Sequence, residues 1–336
     1  MPAAIDRAVI VAARANGGGR LEISAPAMGA EASIALEQLV PRGDWSDYVA
    51  GVAQALIVAG VDVPGADLLI ESDVPIGAGV SSSAALGVAS ATALLALAGS
   101  RADGVAVALW CQRAENDFVG APTGIMDQFA SANGRDGAAL VLDCRSLAFE
   151  TAAIPPQARF LVVDSLTPHA HASGDYRRRR EECEAAARTL GVPMLRDVSE
   201  PALPEALARL PDTLARRCRH VVTENARVLA AADTLRRGDL VGLGELMNRS
   251  HASLRDDFEV STPQVDRLVA IACATEGVYG ARIMGGGFGG SIIALVGAER
   301  AEAARGEIQR DYGAERGAEP DAFVCRVVAG AGEIFL

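Results

Sequence analysis

The alternation of apolar and polar positions divides this chain into helices and strands. Residues 45–58 carry apolar side chains at positions 45, 48, 49, 52, 55 and 56, which is the spacing of a single helical stripe. The Ala- and Leu-rich run at 84–98 predicts a buried helix. Short apolar runs at 5–14 and 68–73 predict strands, and the second of them leads into a glycine-rich loop.

The same pattern predicts the remaining elements. Asn16-Gly17-Gly18-Gly19 favours a hairpin turn that returns as a strand at 20–24. The Pro- and Leu-rich stretch 201–211 is typical of a connector, and the organised part is expected to end near residue 296, with one last strand at 324–328. Further helices are predicted at 105–118, 125–129, 176–190, 216–237 and 240–257, and further strands at 139–143, 160–164 and on either side of the glycines at 285–290.

The loop from Pro75 to Ala85 has the composition of an anion site. Gly77 and Gly79 allow positive φ and close approach to a ligand, and three serines then lead into a helix. A helix start presents unpaired N–H groups and the positive end of the helix dipole, which suits phosphate. A serine N-cap on a core helix explains the same residues equally well. This loop has neither the G-x-G-x-x-G spacing nor the G-x-x-x-x-G-K-[ST] spacing.

Composition narrows the function classes. All 31 basic residues are arginines, which excludes a lysine-tipped phosphate loop and a Schiff-base lysine. The net charge of −12 argues against nucleic acid or an anionic membrane as the main partner. Six scattered cysteines without a C-x-x-C pair indicate reduced thiols rather than disulfides or a zinc site. With 336 residues and no signal-like or membrane-spanning run, we expect a two-domain cytoplasmic enzyme.

Two charged clusters are given structural interpretations. Arg177–Arg180 is followed by Glu181, Glu182 and Glu184 at helical spacing, which favours a solvated, salt-bridged helix face over a phosphate or nucleic-acid site. His169-x-His171 has no third ligand nearby, so a metal pair is not favoured.

Three motifs together resemble the GHMP family of sugar and metabolite kinases. They are P-I-G-A-G-V-S-S-S-A-A at 75–85, G-I-M-D-Q at 124–128 and M-G-G-G-F-G-G at 284–290. Within that family, the sequence is similar to the galactokinases, and the likeness runs over essentially the whole chain. It is clearest at 111–129, 216–228, 250–269 and 277–291.

The resemblance implies a two-domain α+β GHMP kinase fold. Residues 1–155 would form an N-terminal domain like domain 2 of ribosomal protein S5, and residues 156–336 a ferredoxin-like C-terminal domain, with the site in the cleft between them. The implied activity is ATP- and Mg²⁺-dependent phosphorylation of D-galactose at its C1 hydroxyl, by a cytoplasmic monomer with no nucleic-acid or membrane partner. Alternatives are a kinase for another sugar, such as N-acetylgalactosamine, and a non-catalytic regulator that binds galactose or ATP.

The resemblance also implies roles for individual residues. Asp127 would be the catalytic base, Gly124 and Tyr176 would join it in contacting the sugar, and the loop 285–290 would close over the phosphates. Ser83 and Glu115 would bind Mg²⁺. ATP would contact Gly77, Ala78, Gly79, Val80, Ser81, Ser82 and Ser83, with Trp45 and Tyr48 near the adenine.

The residues alone also support simpler interpretations of the same positions. Asp127 fits equally well as a first-turn acid favoured by the helix dipole, and Glu115 is better explained as a helix-surface carboxylate. Trp45 and Tyr48 fit a core stripe, and Tyr176 fits ordinary amphipathic packing.

The N-terminus departs from the galactokinase pattern. Galactokinases open with an R-x-N-L-x-G-E-H-x-D-Y signature, and this sequence starts just after the corresponding position, at Met1-Pro2-Ala3-Ala4-Ile5-Asp6-Arg7. The signature includes an arginine that would stabilise the transferring phosphoryl group and ligands for the sugar. We expect the coding DNA upstream of Met1 to contain it in frame; the alternative is a short relative that binds ATP with weak or no activity.

Overall fold

A four-stranded sheet organises the first part of the chain. In a computed structural model, which describes residues 1–75, 77, 79–121, 123–168 and 172–334, the strands lie in the order β1-β4-β2-β3. β4 is antiparallel to β1 and parallel to β2, and β2 is antiparallel to β3. The strand bounds are β1 Val9–Ala15, β2 Arg20–Ala25, β3 Ala30–Ala35 and β4 Ala66–Ser72.

The segment Asn16–Gly19 does not close a hairpin, so that prediction was wrong. β4 lies between β1 and β2, and the Asn16 amide donates to the Gly65 carbonyl at 3.0 Å. The Asn16 side chain accepts from the Gly18 amide and donates to the Asp67 carboxylate. A Cβ on Gly65 would lie 1.8 Å from the Gly18 carbonyl oxygen. Glycine is therefore needed at position 65, because this loop crosses directly over the entry to β4.

Four helices and a hairpin complete this unit, which comprises Met1–Thr151 together with the segment from Val327. Apolar side chains of the sheet and of the first three helices form its core, including the predicted stripe positions 49, 52, 55 and 56. The end of the chain joins the same unit through a bridge between Ile5 and Val327. The bounds are α1 Asp47–Val58, α2 Ser82–Leu97, α3 Gly104–Arg113, α4 Met126–Asn133, β5 Ala138–Leu142 and β6 Phe149–Ala153.

The second unit, Ala152–Arg326, contains an antiparallel sheet in the order β10-β7-β9-β8. Its strands are β7 Ala158–Asp164, β8 Val278–Ile283, β9 Ser291–Gly297 and β10 Ala322–Cys325. Helices α9 (Pro263–Ala274) and α10 (Ala301–Arg316) bury their apolar residues in the core of this sheet. Counted along the unit, the strand order 4-1-3-2 is that of a ferredoxin-like fold, as the resemblance implied.

The remaining helices of this unit are α5 (Ala172–Leu190), α6 (Leu203–Ala208), α7 (Asp212–Arg236) and α8 (Leu240–Asp256). The first three form a core of their own, whereas Leu254 of α8 belongs to the core of the sheet. Buried side chains of α5, α6 and α7 make up this second cluster, with Cys218 fully enclosed. The stretch 201–211 is thus largely helical rather than a simple connector. The organised part also does not end near residue 296, because α10 and β10 follow it.

Two further expectations concern the whole chain. All six cysteines are free thiols, as predicted. Among the helices in the described ranges, none combines the length and hydropathy needed to cross a bilayer.

Candidate active site

The glycine-rich loop enters α2 through three left-handed residues. Gly77 has φ +82°, Gly79 has φ +73°, and Ser81 has φ +59°, which is unusual for a residue with a side chain. α2 begins at Ser82, and the Ser81 hydroxyl makes no cap hydrogen bond to it. The side-chain N-cap that the sequence also allowed is therefore not formed. Ala78 lies outside the described residues.

The Ser81 hydroxyl instead donates to a carboxylate. Its Oγ lies 2.6 Å from Oδ2 of Asp127, which stands in the first turn of α4. Asp127 is half-buried, so it remains open to a ligand. The contact joins two sequence motifs that are far apart in the chain, and it sets the Asp127 carboxylate beside the start of α2.

Glu115 reaches the same region from a π-helical turn. α3 continues as a π-helix over Ala114–Val119, and the Ala121 amide donates to the Glu115 carbonyl at 3.0 Å as Gly120 turns the chain. π-helical turns occur often at functional sites. Here Glu115 is only 6% exposed, so the interpretation as a surface carboxylate was wrong. The Ser83 hydroxyl donates to its Oε1 at 3.1 Å.

Gln128 is a member of this site that the sequence analysis missed. It is 1% exposed, and its Nε2 donates to Oε2 of Glu115 at 2.6 Å. The two oxygens of Glu115 therefore have separate donors, Gln128 on one side and Ser83 on the other. The available signal was its position next to Asp127 in the G-I-M-D-Q motif. A lone glutamine on a short helix otherwise looks like a surface residue.

A set of amide contacts fixes the segment between Gly120 and α4. The Thr123 amide donates to Oδ1 of Asn116 at 2.7 Å, and the Thr123 carbonyl accepts from the side chains of Asn116 and Gln112. Gly124 follows and is exposed, and a Cβ added to it would meet nothing within 4 Å. Open space therefore lies beside Gly124, three residues before Asp127.

Burial dominates the electrostatics of the site. It raises the pKa of Glu115; the hydrogen bonds from Ser83 and Gln128 oppose this effect, and the charge of Asp127 adds to it. Burial, and then the charge of Glu115, also raise the pKa of Cys111 to about 12 and raise that of Tyr48. Within the described ranges neither Glu115 nor Asp127 has an ion-pair partner, so a bound cation would be favoured here.

The oxygen atoms suit a hard cation. The Ser83 hydroxyl is hydrogen-bonded to the Glu115 carboxylate, and Mg²⁺ binds both kinds of oxygen ligand. In the part of the chain that the structure describes, this site included, no group of three or more His, Cys, Asp or Glu side chains could hold a metal ion. A protein ligand set of one hydroxyl and one carboxylate fits Mg²⁺ that arrives with a phosphate ligand, because Mg²⁺ commonly keeps waters and phosphate oxygens.

The remaining predicted residues make no hydrogen bond to Glu115 or Asp127 in the described part of the chain, although Tyr48 is within electrostatic range of Glu115. Trp45 is half-buried against the core of the first unit, and Tyr48 is half-buried on α1. Tyr176 belongs to the second unit, where it is 41% exposed and its ring lies 3.7 Å from the Cβ position of Gly286. His169 and His171 lie outside the described residues.

The arginine run on α5 divides into two kinds of residue. Arg178 pairs with Glu182 and Arg180 with Glu184 on the surface, as the predicted salt-bridged face requires. Arg179, in contrast, is buried, so the prediction was wrong for this residue.

Comparison with known proteins decides the family. Residues 47–135 match the model of the GHMP kinases N-terminal domain, and residues 231–314 match that of the GHMP kinases C-terminal domain. A galactokinase of Roseiflexus sp. (strain RS-1) is 42% identical over 339 residues, covering 99% of this chain and 87% of the relative. The chain belongs to the GHMP kinase family, among its galactokinases.

Further relatives agree with this assignment. A galactokinase of Chloroflexus aurantiacus is 41% identical over 341 residues, with coverage of 99% of this chain and 87% of the relative. The crystal structure of Lactococcus lactis galactokinase complexed with galactose matches this GHMP kinase with a TM-score of 0.92 at 30% identity, covering 99% of this chain and 88% of the other. The α+β two-domain GHMP fold expected from the sequence is thereby confirmed.

Proposed function

We propose that this GHMP kinase transfers the γ-phosphoryl group of ATP to the C1 hydroxyl of D-galactose, giving galactose 1-phosphate and ADP in galactose metabolism. Galactokinases at 41–42% identity over almost the whole chain support the substrate. The observation that carries the chemistry is the pair of contacts at the start of α2, Ser81 with Asp127 and Ser83 with Glu115. Both carboxylates lie beside a helix start suited to phosphate, which supports Asp127 as the base and Glu115 as the cation ligand.

The triphosphate would lie on the loop that enters α2. The positive φ values of Gly77 and Gly79 expose main-chain amides, and the N–H groups of Ser82 and Ser83 lie in the first turn, where no side chain caps the helix. Val80, Ser81 and Ala78, the last outside the described residues, complete the proposed contacts. With no lysine in the chain, contacts to the phosphates are left to backbone amides, hydroxyls, arginines and a metal ion.

Ser83 and Glu115 are the residues that would hold Mg²⁺. When bound with ATP, Mg²⁺ supplies positive charge that neutralises the phosphate oxygens. Gln128 donates to the Glu115 oxygen that Ser83 does not contact, and so fixes the orientation of the carboxylate. Glu115 is nearly buried, so its charge acts in a site with little screening by water.

Asp127 would act as the general base. Its carboxylate takes the proton of the C1 hydroxyl as that oxygen bonds to the γ-phosphorus, while the bond from the γ-phosphorus to the bridging oxygen breaks and ADP leaves. The Ser81 hydroxyl, donating to Oδ2, orients the carboxylate for this transfer. Gly124 leaves room for the sugar, Tyr176 contacts it, and Trp45 lies near the adenine.

The deciding experiment is a coupled ADP-release assay on the wild type, Asp127→Ala and Asp127→Asn. The assay uses galactose, N-acetylgalactosamine and no sugar, with ATP binding measured by calorimetry. We expect turnover with galactose, a loss of at least about 100-fold in both variants because a positioned base contributes roughly that much, and unchanged ATP binding. Undiminished turnover in the variants would exclude Asp127 as the base. Preference for N-acetylgalactosamine would overturn the substrate, and ATP binding without turnover would indicate a regulator.

The remaining assignments belong to the same proposal. We infer a cytoplasmic monomer whose functional domains are residues 1–155 and 156–336, with ATP and the sugar as its partners. The six free thiols agree with a reducing compartment.

A further inference from the structure

A buried arginine in the second unit plays no part in the proposed reaction. Arg217 of α7 is 2% exposed and is among the largest fully enclosed side chains of the chain. Its guanidinium donates from Nε to the Glu182 carboxylate at 2.7 Å, from Nη1 to the Asp257 carbonyl at 2.6 Å, and from Nη2 to the Glu259 carboxylate at 2.6 Å. One side chain thus ties α7 to α5 and to the segment between α8 and α9.

That segment, residues 257–260, adopts a shape that its sequence does not favour. Glu259 has φ +54°, in the left-handed region that a glutamate rarely occupies. Besides its bonds to Arg217, its carbonyl accepts from Nη2 of Arg179 at 3.1 Å. Arg179 also pairs with Glu182, which both arginines therefore share. The unusual backbone is imposed by these surrounding donors.

The segment in turn supports the glycine loop 285–290. The Phe288 amide donates to the Val260 carbonyl at 2.7 Å, and a Cβ on Gly287 would lie 2.5 Å from that same oxygen. At the far end of the loop, the Gly290 amide donates to the Thr167 carbonyl at 2.9 Å. Only glycine fits at position 287, so the loop follows the position of Val260 closely.

The contacts then return to α5. The ring of Tyr176 lies against Gly286, and Arg179 and Glu182 stand one and two turns further along the same helix. Arg217 is bonded both to α5, through Glu182, and to the support of the glycine loop. A displacement of Arg217 would therefore change the loop and Tyr176 together.

We propose that Arg217 is a positioning residue that fixes the glycine loop 285–290 and Tyr176 in one relative arrangement. Replacing a buried ion pair with apolar groups often costs no stability, so stability alone does not explain a fully enclosed arginine with two carboxylates. The fixed fork of the guanidinium, which reaches three acceptors at once, does explain it. The link to substrate rests on the proposed function, in which Tyr176 contacts the sugar.

Hydrogen exchange measured by mass spectrometry tests the positioning directly. In Arg217→Met the peptide that contains the Phe288 and Gly290 amides should exchange at least about 10-fold faster, the effect of losing hydrogen bonds to a charged group. Strands β7 and β9 should exchange as in the wild type. Arg236→Met is the matched control, because Arg236 lies on the same helix but is 47% exposed and pairs with the Asp233 side chain of that helix. It should leave the loop unchanged.

Two further variants protect the test against misfolding. Glu259→Gln keeps the size of a half-exposed side chain and weakens only its charge-assisted bonds, so it should give the same pattern at smaller amplitude. Arg217→Lys should not restore the loop, since an ammonium cannot reach three separate acceptors. Unchanged exchange in the loop, or faster exchange spread evenly over the second unit, would overturn the proposal.

Steady-state kinetics separate this inference from the proposed function. If Tyr176 binds the sugar, Arg217→Met should raise the KM for galactose about 10-fold and Glu259→Gln should raise it less. Both variants should change kcat less than about 2-fold, the signature of lost binding common to ground and transition states. A fall in kcat alone at unchanged KM would contradict the positioning of Tyr176. If the wild type has no galactokinase activity, the proposed function fails, while the exchange experiment still decides the role of Arg217.

Discussion

Removing the amide of Gln128 should weaken the cation site without touching a proposed ligand. In Gln128→Met the side chain keeps its length but can no longer donate to Glu115 Oε2, now at 2.6 Å. A hydrogen bond to a charged group contributes about 1.5–3 kcal/mol, which corresponds to roughly 10- to 150-fold in an equilibrium constant. Loss of a side chain that orients a metal ligand costs a similar 10–100-fold or so in metal affinity.

The same substitution should also raise the pKa of Glu115. Burial already raises it, and the hydrogen bond from Gln128 opposes that effect, so the variant should raise it further. A larger fraction of the carboxyl group is then protonated at a given pH. Because a metal ligand must be deprotonated, apparent Mg²⁺ affinity falls, and it falls most on the acid side of the pH range.

The assay is the initial rate against Mg²⁺ concentration at fixed ATP, repeated at several pH values. We expect the Mg²⁺ concentration for half-maximal rate to rise about 10- to 100-fold, with the maximal rate largely restored at saturation. Binding of Mn²⁺, followed by electron paramagnetic resonance, should weaken equally. Asn133→Leu is the control, because Asn133 is a buried amide of the same helix that donates to the Phe129 carbonyl instead. An unchanged Mg²⁺ midpoint in Gln128→Met would refute the orienting role.

Three further outcomes can be measured on the same protein. Burial lowers the pKa of His220 from 6.5 to about 4, so the unfolded state takes up a proton over this range and the free energy of unfolding decreases as pH falls from 6.5 to 4. The contribution is roughly 3 kcal/mol at about 1.36 kcal/mol per pKa unit; urea titrations at several pH values should show it in the wild type and not in His220→Gln. Gly124→Val should leave the melting temperature unchanged but raise the KM for galactose at least about 10-fold, because the new side chain enters space that no protein atom fills; an unchanged KM would exclude Gly124 from the sugar site. Arg180→Ala should change the unfolding free energy by less than about 0.5 kcal/mol, since its pair with Glu184 is exposed; a larger loss in thermal melts would contradict that surface role.

Local pattern was enough to locate most elements but not their neighbours in the sheet. The stripe of α1 and the buried run of α2 appear within one or two residues of their predicted bounds, because each reflects a single face or a continuous apolar run. The partner of β1 could not be read in this way. A turn with the composition of Asn16–Gly19 usually joins two paired strands. Here β4, whose entry at Gly65 lies against this loop, is inserted between β1 and β2.

Helix α10 shows a different kind of omission. Ala301, Ala304, Ile308 and Tyr312 form its buried stripe, and their successive separations of three, four and four residues are those of one helix face. Small alanines beside many charged residues made this stripe weak. The helical pattern was therefore present, but two of the four buried side chains are alanines, which give only a weak hydrophobic signal.

The chemistry of the site divides along similar lines. The motifs brought forward Ser81, Ser83, Glu115 and Asp127, and the structure joins them in two hydrogen-bonded pairs. Nothing local indicated that Glu115 would be buried, because its carboxylate is enclosed with partners from other helices, Ser83 of α2 and Gln128 of α4. Gln128 was missed for the same reason, since its role exists only once Glu115 points inward.

The position of β4 between β1 and β2 bears on how the nascent chain folds. Val9 pairs with Ser72 and Ala15 with Ala66, so β1 has no partner until the ribosome has released β4. At a synthesis rate of about 5–20 residues per second, that wait lasts several seconds. Through this interval the first strand is an unprotected edge of the kind that other chains can pair with. A chaperone that shields residues 9–15 as they emerge should therefore raise the yield of active protein more than one that acts on the finished chain.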